Sequence, residues 1–263
     1  MKPNAVKKAL EGGGVSIGTF CFEFNTTGIA RIAAEAGAEF AIFDMEHSGW
    51  GLETIRMLIA TARPDALTPM VRVPATESHF IARALDLGAS GLMVPMVETA
   101  EQAARIARAA KYPPVGRRGA AFGVAHDDYT GGDLVAKIET ANRETLLIAQ
   151  IETALGLENV EAIAAVEGID VLWLGHFDLT ISLGIPGRFA HPEFLRAVER
   201  IVEAAGARGK AAGFMASSVE EGREMLRRGF RMLAYGGDLW LYQQALRQGI
   251  AALREPDPKE IPR

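Results

Sequence analysis

A chain of 263 residues with 49% hydrophobic and 23% charged residues has the composition of an ordinary globular protein that can bury a large core. Its formal net charge of −5 argues against a nucleic-acid or anionic-membrane surface, and its single cysteine, Cys21, excludes an internal disulfide framework and suits a reducing compartment. The opening Met-Lys-Pro-Asn-Ala-Val-Lys-Lys lacks the apolar run of a secretory leader, and no window approaches the ~18 apolar residues of a membrane span, so a cytoplasmic protein is expected.

Short apolar runs alternate with longer helical patterns along the chain. Strands are expected at 16–20, 40–43, 69–72, 91–94, 146–151, 171–174, 211–214 and 231–234. Helical patterns fall between them, at 28–35, 52–62, 80–87, 100–109, 155–165, 192–207, 219–228 and 239–253. The run Gly12–Gly14 has no strand before it and no Lys-Ser/Thr after it, so it reads as a helix terminator and not a phosphate loop. Gly37, Gly88 and Gly229 stand where a C-cap glycine hands a helix over to the next strand. The alternation predicts an α/β fold, a (β/α)8 TIM barrel in a single domain over 1–263, with a doubly wound open sheet as the alternative. The connection 112–142 is unusually long, carries His126 and a short helix near 134–142, and is expected to cover the barrel mouth. The tail 255–263, with three prolines, is expected to be loosely attached or packed on a neighbour.

Barrel chemistry sits at the C-terminal ends of strands. The polar residues expected there are Asp44, Glu46 and His47, then Arg72, then Gln150 and Glu152, then His176 and Asp178. A period of two points Gln150 and Glu152 to the same side. Carboxylates ending neighbouring parallel strands can share a divalent cation; alternatively Glu152 caps the next helix and Asp178 anchors a turn. A buried Arg72 needs an anion, either Asp44 or Glu46 or an oxygen of a substrate. His47 alone reads as a structural histidine, and His79, His126 and His191 are weaker candidates still. Cys21 reads as a small core residue, and Tyr235-Gly236-Gly237-Asp238 as a tight turn. None of the seven lysines ends a strand, which disfavours Schiff-base chemistry.

The ordered set Asp-x-Glu-His at 44–47, Val-Arg at 71–72, Val-Pro-Met at 94–96, Tyr-Pro-Pro-x-Gly-x-Arg-Gly at 112–119, Gln-Ile-Glu-Thr at 150–153 and Gly-x-x-Asp-Leu at 175–179 resembles the HpcH/HpaI aldolases over nearly the whole chain. The resemblance implies a metal-dependent class II pyruvate aldolase of the 4-hydroxy-2-oxoheptanedioate type. Such an enzyme reversibly cleaves 4-hydroxy-2-oxo acids to pyruvate, or hydroxypyruvate, and an aldehyde through a metal-stabilised enolate. It further implies Mg²⁺ or Mn²⁺, with Co²⁺ or Zn²⁺ able to substitute, and homohexamers built as dimers of trimers with the last helix exchanged between subunits. By the same resemblance Glu152 and Asp178 are the metal ligands, and Arg72 holds the keto oxygen. His47 is the base, acting through a metal-bound water, and Asp86 orients that histidine from an adjacent subunit. Asp44 and Gln150 order waters and the carboxylate ligand. The backbone of Gly175, His176, Phe177 and Asp178 holds the pyruvate carboxylate, and Phe214 walls the acceptor pocket. His176 departs from the proline of some members, which bears on donor preference or pocket shape. Two rivals are an acyl-CoA carbon–carbon lyase of the citrate-lyase β type, for which Arg117-Arg118 is the only basic candidate, and a non-catalytic 2-oxo acid binder that does not need His47. Small molecules are the expected partners under every reading.

Overall fold

The computed structural model describes residues 3–62 and 67–254; the expectations for the 255–263 tail, Lys2 and Lys259 lie outside the described residues. The strands are β1 (Ser16–Cys21), β2 (Phe40–Asp44), β3 (Thr68–Arg72), β4 (Gly91–Val94), β5 (Leu146–Ile151), β6 (Val171–Leu174), β7 (Ala211–Ala216) and β8 (Met232–Gly237). Each pairs in parallel with the next, and β8 closes on β1. The fold is therefore a (β/α)8 barrel and not an open sheet. Gly37, Gly88 and Gly229 take φ of +93°, +103° and +101°, the left-handed conformation that ends a helix and turns the chain into a strand.

Strand side chains alternate between two apolar layers. Phe20, Phe40, Ile42, Met70, Met93, Ile148, Val171 and Trp173 fill the barrel interior. Ala41, Phe43, Val71, Leu147, Ala149, Leu172 and Phe214 pack outward against the helices. The helix Ala5–Glu11 closes the N-terminal end of the barrel: Val6 and Leu10 join the interior layer, and Lys7 Nζ meets the Thr145 carbonyl and Asp170 Oδ1, each at 3.0 Å. Glycines make the interior fit. A Cβ at Gly18 would collide with the Phe40 carbonyl and ring, and one at Gly213 with the Trp173 indole. Small residues thus stand beside large ones on neighbouring strands.

Three expectations change. The pattern 155–165 forms two short helices, Ala154–Glu158 and Val160–Ala164, which meet at Asn159. A further helix, His176–Ser182, follows β6 directly and carries Asp178 in its first turn. The long connection does not cover the mouth. It leaves the helix Ala100–Ala110 and returns through the helix Leu134–Glu144 to the start of β5, so both of its ends lie at the N-terminal end of the barrel. Lys111 Nζ anchors it there, donating to the carbonyls of Asn142 (2.6 Å) and Thr145 (2.9 Å), just ahead of β5.

The last helix, Asp238–Arg254, starts at the mouth and then stands clear of the barrel, with Tyr242, Leu246, Ile250 and Leu253 exposed. That apolar face is the one an exchange between subunits would cover. Among the described residues no helix is long and apolar enough to cross a membrane.

Gly18→Ala should cost about 1–3 kcal/mol, because the Phe40 backbone cannot yield to the added methyl. Gly119→Ala, where a Cβ meets nothing within 4 Å, should leave stability nearly unchanged. Thermal denaturation of both variants checks the packing; equal melting temperatures would contradict it.

Candidate active site

The strand period brings Asp44, Arg72, Gln150 and Gly175 to the inside of the barrel at its C-terminal end, with Glu152 following Gln150 at the same parity. Asp44 is fully buried. One of its oxygens accepts from Arg72 Nε at 2.5 Å, and its carboxylate also accepts from the amides of Glu46 (3.2 Å) and His47 (2.7 Å). It therefore fixes both the arginine and the loop carrying the histidine. A carboxylate sealed from solvent acts here by positioning its neighbours. Arg72 also lies 3.1 Å from Glu46 Oε2 through Nη1, and its guanidinium sits over Phe20 and Phe22 at 5.2 and 5.6 Å.

Glu152 is 1% exposed. Its Oε1 accepts from the amide of Met96 at 2.6 Å, and its Oε2 accepts from Gln150 Nε2. Met96 presents that amide from a left-handed conformation, φ +54°, unusual for a residue with a side chain. Thr153, not Glu152, caps the following helix, accepting from the Gly156 amide at 2.9 Å. The acid is thus left for the cavity. Burial raises the Glu152 carboxyl to about 7; the bonds from Gln150 and Met96 oppose this, and the charges of Glu46 and Asp178 add to it. Burial likewise raises Glu46 to about 7, with Arg72 opposing and Asp44 and Asp178 reinforcing.

These groups fit a divalent cation. Three carboxylates, Glu46, Glu152 and Asp178, feel one another's charge, and buried Glu46 Oε2 and Gln150 Oε1 have no hydrogen-bond partner. Glu46 Oε2 touches Arg72 Nη1 without the alignment of a hydrogen bond. A Cβ on Gly175 would come within 2.6 Å of Glu152 Oε2, so the glycine keeps that side of the carboxylate open. All the donors are oxygens, which favours hard cations. Among the described residues no group of three or more His, Cys, Asp or Glu side chains forms a metal cage. A cation here would rest on Glu152 and Asp178 and draw its other ligands from substrate and water.

A cavity of about 420 Å³ opens over this set. Its lining includes His47, Arg72, Gln150, Gly175, His176, Phe177 and Asp178. His47 is over half exposed, with Nε2 3.7 Å from Glu46 Oε2. His176 is buried among the rings of Phe177 (4.4 Å), Phe214 (4.8 Å) and Phe189 (5.4 Å). Burial lowers its pKa to about 4, so it is a neutral wall at physiological pH.

Phe214 does not line this cavity. It faces the helix layer, and its neighbour Met215 takes the place at the mouth, a parity of one residue. Asp86 ends the helix Ser78–Asp86 and pairs with Arg118 Nη2 at 2.5 Å. That helix runs from the mouth toward the other end, so only a neighbouring copy could bring Asp86 to a His47. His126 is likewise remote, its Nε2 meeting the Ala121 carbonyl at 2.6 Å. His191 caps a helix, accepting from the Glu193 amide at 3.3 Å.

The sequence reading passed over Asp238, read only as part of a turn. Its carboxylate accepts from the amides of Phe22 (2.9 Å), Glu23 (3.0 Å) and Phe24 (2.7 Å). It thereby ties the loop after β1 to the helix after β8, and Phe22, Glu23 and Trp240 wall the outer cavity. An acid opening a helix directly after a strand is the one sequence signal that points to it.

A family profile described as HpcH/HpaI aldolase/citrate lyase matches residues 18–245. The 2-keto-3-deoxy-L-rhamnonate aldolase of Salmonella gallinarum is 35% identical over 251 residues, covering 95% of this chain and 93% of that protein. The crystal structure of an HpcH/HpaI aldolase from Desulfitobacterium hafniense superposes with a TM-score of 0.91 at 31% identity, covering 96% of this chain and 98% of that one. A family protein from Burkholderia cenocepacia gives a TM-score of 0.89 at 32% identity, over 96% and 100% of the two chains. With this barrel and this mouth, the chain belongs to the HpcH/HpaI aldolase/citrate lyase family and is a carbon–carbon lyase.

Proposed function

We propose that the chain is a class II aldolase that reversibly cleaves 4-hydroxy-2-oxo acids to pyruvate, or hydroxypyruvate, and an aldehyde. The observation that carries this reading is the concentration of Glu46, Glu152 and Asp178 close enough to feel one another's charge, with buried oxygens of Glu46 and Gln150 left without hydrogen bonds. Mg²⁺ or Mn²⁺ held by Glu152 and Asp178 would supply a Lewis acid for the 2-oxo group. The Salmonella relative's name carries a 2-keto acid, in keeping with this substrate class.

The chain's own residues divide the remaining work. Arg72, aimed by Asp44, donates to the keto oxygen as negative charge develops there during cleavage. His47 takes the proton of the 4-hydroxyl, directly or through water, as the C3–C4 bond breaks and the aldehyde forms. The electron pair left on C3 is shared with the keto oxygen, and protonation of C3 gives pyruvate. Gln150 orients Glu152 by its amide. The backbone at the start of the helix His176–Ser182 is available to the substrate carboxylate.

A Schiff base has no support, since no lysine lines the mouth cavity among the described residues. The acyl-CoA reading has less support, since Arg72 is the one lysine or arginine lining the mouth cavity among the described residues.

Glu152→Ala and Asp178→Ala should each lower metal-dependent pyruvate release by at least about a hundredfold while the far-ultraviolet spectrum stays native. EDTA should inactivate reversibly, and borohydride with pyruvate should leave the protein unmodified. Full turnover of either variant at low metal, or a lysine trapped on pyruvate, would refute the site.

The roles of Arg72 and His47 separate kinetically. Arg72→Lys keeps charge but loses the planar fork, so both aldol cleavage and exchange of the pyruvate methyl protons should collapse. His47→Ala should depress cleavage most and leave 2-oxo acid binding measurable by calorimetry. The reverse pattern would exchange the two assignments.

Burial raises Glu152 from 4.5 to about 7, which favours its protonated form in the folded state. The associated stability is therefore complete below pH 4.5 and is lost as pH rises toward 7. In EDTA, wild type should lose melting temperature relative to Glu152→Gln as pH goes from about 5.5 to 8, and Mg²⁺ should restore it to wild type only. A constant difference between the two proteins would contradict the buried, uncompensated carboxylate.

A further inference from the structure

We propose that Glu23 sets acceptor specificity, turning anionic aldehydes away from the cavity and favouring uncharged, hydroxylated ones. The inference rests on the aldolase reading above.

The ionisable groups lining the cavity are Glu23, His47, Arg72, His176 and Asp178. Arg72 is the one full cation among them, and it is bound at the inner wall to Asp44 and Glu46. His176 is neutral. Behind the lining stand Asp44, Glu46 and Glu152, so five carboxylates face one guanidinium. A divalent cation would still leave the mouth net negative, and a bound 2-oxo carboxylate adds to that charge.

The outer end, where the aldehyde portion must lie, contributes Phe22, Glu23, Ser48, Leu239 and Trp240 and no cation. Phe22 and Trp240 stack edge to face with centroids 5.0 Å apart. An aromatic wall with one carboxylate and one hydroxyl suits a polyol: its C–H faces lie on the rings, and its hydroxyls donate charge-assisted hydrogen bonds to Glu23. The Glu23 backbone is fixed by Asp238, so although its side chain is exposed the charge stays over the mouth. A carboxylate tail about 6 Å from Glu23 is disfavoured about three- to a hundredfold, depending on how much water screens the pair.

The test compares two 4-hydroxy-2-oxo acids of equal length, one ending in a carboxylate and one in a hydroxymethyl group, with Mg²⁺ present. Wild type should favour the uncharged acid by at least about tenfold in kcat/KM, with the preference shrinking at high salt. Glu23→Gln should close most of that gap by improving the dicarboxylate, and Glu23→Arg should reverse it. Calorimetric binding of 2-oxoheptanedioate and 2-oxoheptanoate, which have no 4-hydroxyl to cleave, should show the same order in wild type and the same relaxation in Glu23→Gln. Equal use of both acids by wild type, or a ratio indifferent to residue 23, would overturn the assignment. If neither acid is cleaved, the aldolase reading falls, and the binding ratio alone still judges the role of Glu23.

Discussion

Anionic charge crowded into a partly desolvated barrel mouth is the constraint on which the site depends. Asp44 and Glu46 flank Arg72, the one permanent cation on the inner wall, and Glu46, Glu152 and Asp178 feel one another's charge. Water cannot relieve the crowding, because Asp44 and Glu152 are nearly sealed from it. The protein answers with directed hydrogen bonds. Asp44 takes an arginine and two amides, and Glu152 takes the Met96 amide and Gln150. What remains unsatisfied lies on Gln150, which lines the cavity, and on Glu46 just behind it, and is the part of the surplus a ligand can meet. A structure that cost this much to assemble holds its charges ready before any substrate arrives.

The barrel supplies the rigidity such an arrangement needs. Interior glycines at positions 18 and 213 admit Phe40 and Trp173, and the parallel register of β2 and β3 sets Arg72 beside Asp44. At the mouth, Gly175 does the same for Glu152, where even a methyl group would press on the carboxylate. Packing deep in the barrel and electrostatics at its rim are therefore consecutive parts of one construction.

Much of this was legible in the sequence because it follows from local rules. Gly37, Gly88 and Gly229 announce strands, and a period of two places Asp44, Arg72, Gln150 and Glu152 on one rim. Parity also explains one failure: strand β7 continues to Ala216, and Met215 rather than Phe214 reaches the cavity. The length of the long connection suggests a cover for the mouth, but its direction decides otherwise: a segment running from helix to strand starts and ends at the N-terminal end of the barrel. Asp238 was hidden for a different reason. Its partners are three backbone amides more than two hundred residues away, and no periodicity encodes a contact of that kind.

The Asp238 clamp has a consequence for how such enzymes diversify. It grips Phe22, Glu23 and Phe24 through main-chain amides alone, so it is indifferent to which side chains those positions carry. The inner wall has less tolerance, since Asp44 and Arg72, and Gln150 and Glu152, are each other's partners. A lineage could therefore exchange the exposed residue 23 while the bond-breaking half stays intact, acquiring new aldehydes by change at one position of a short loop.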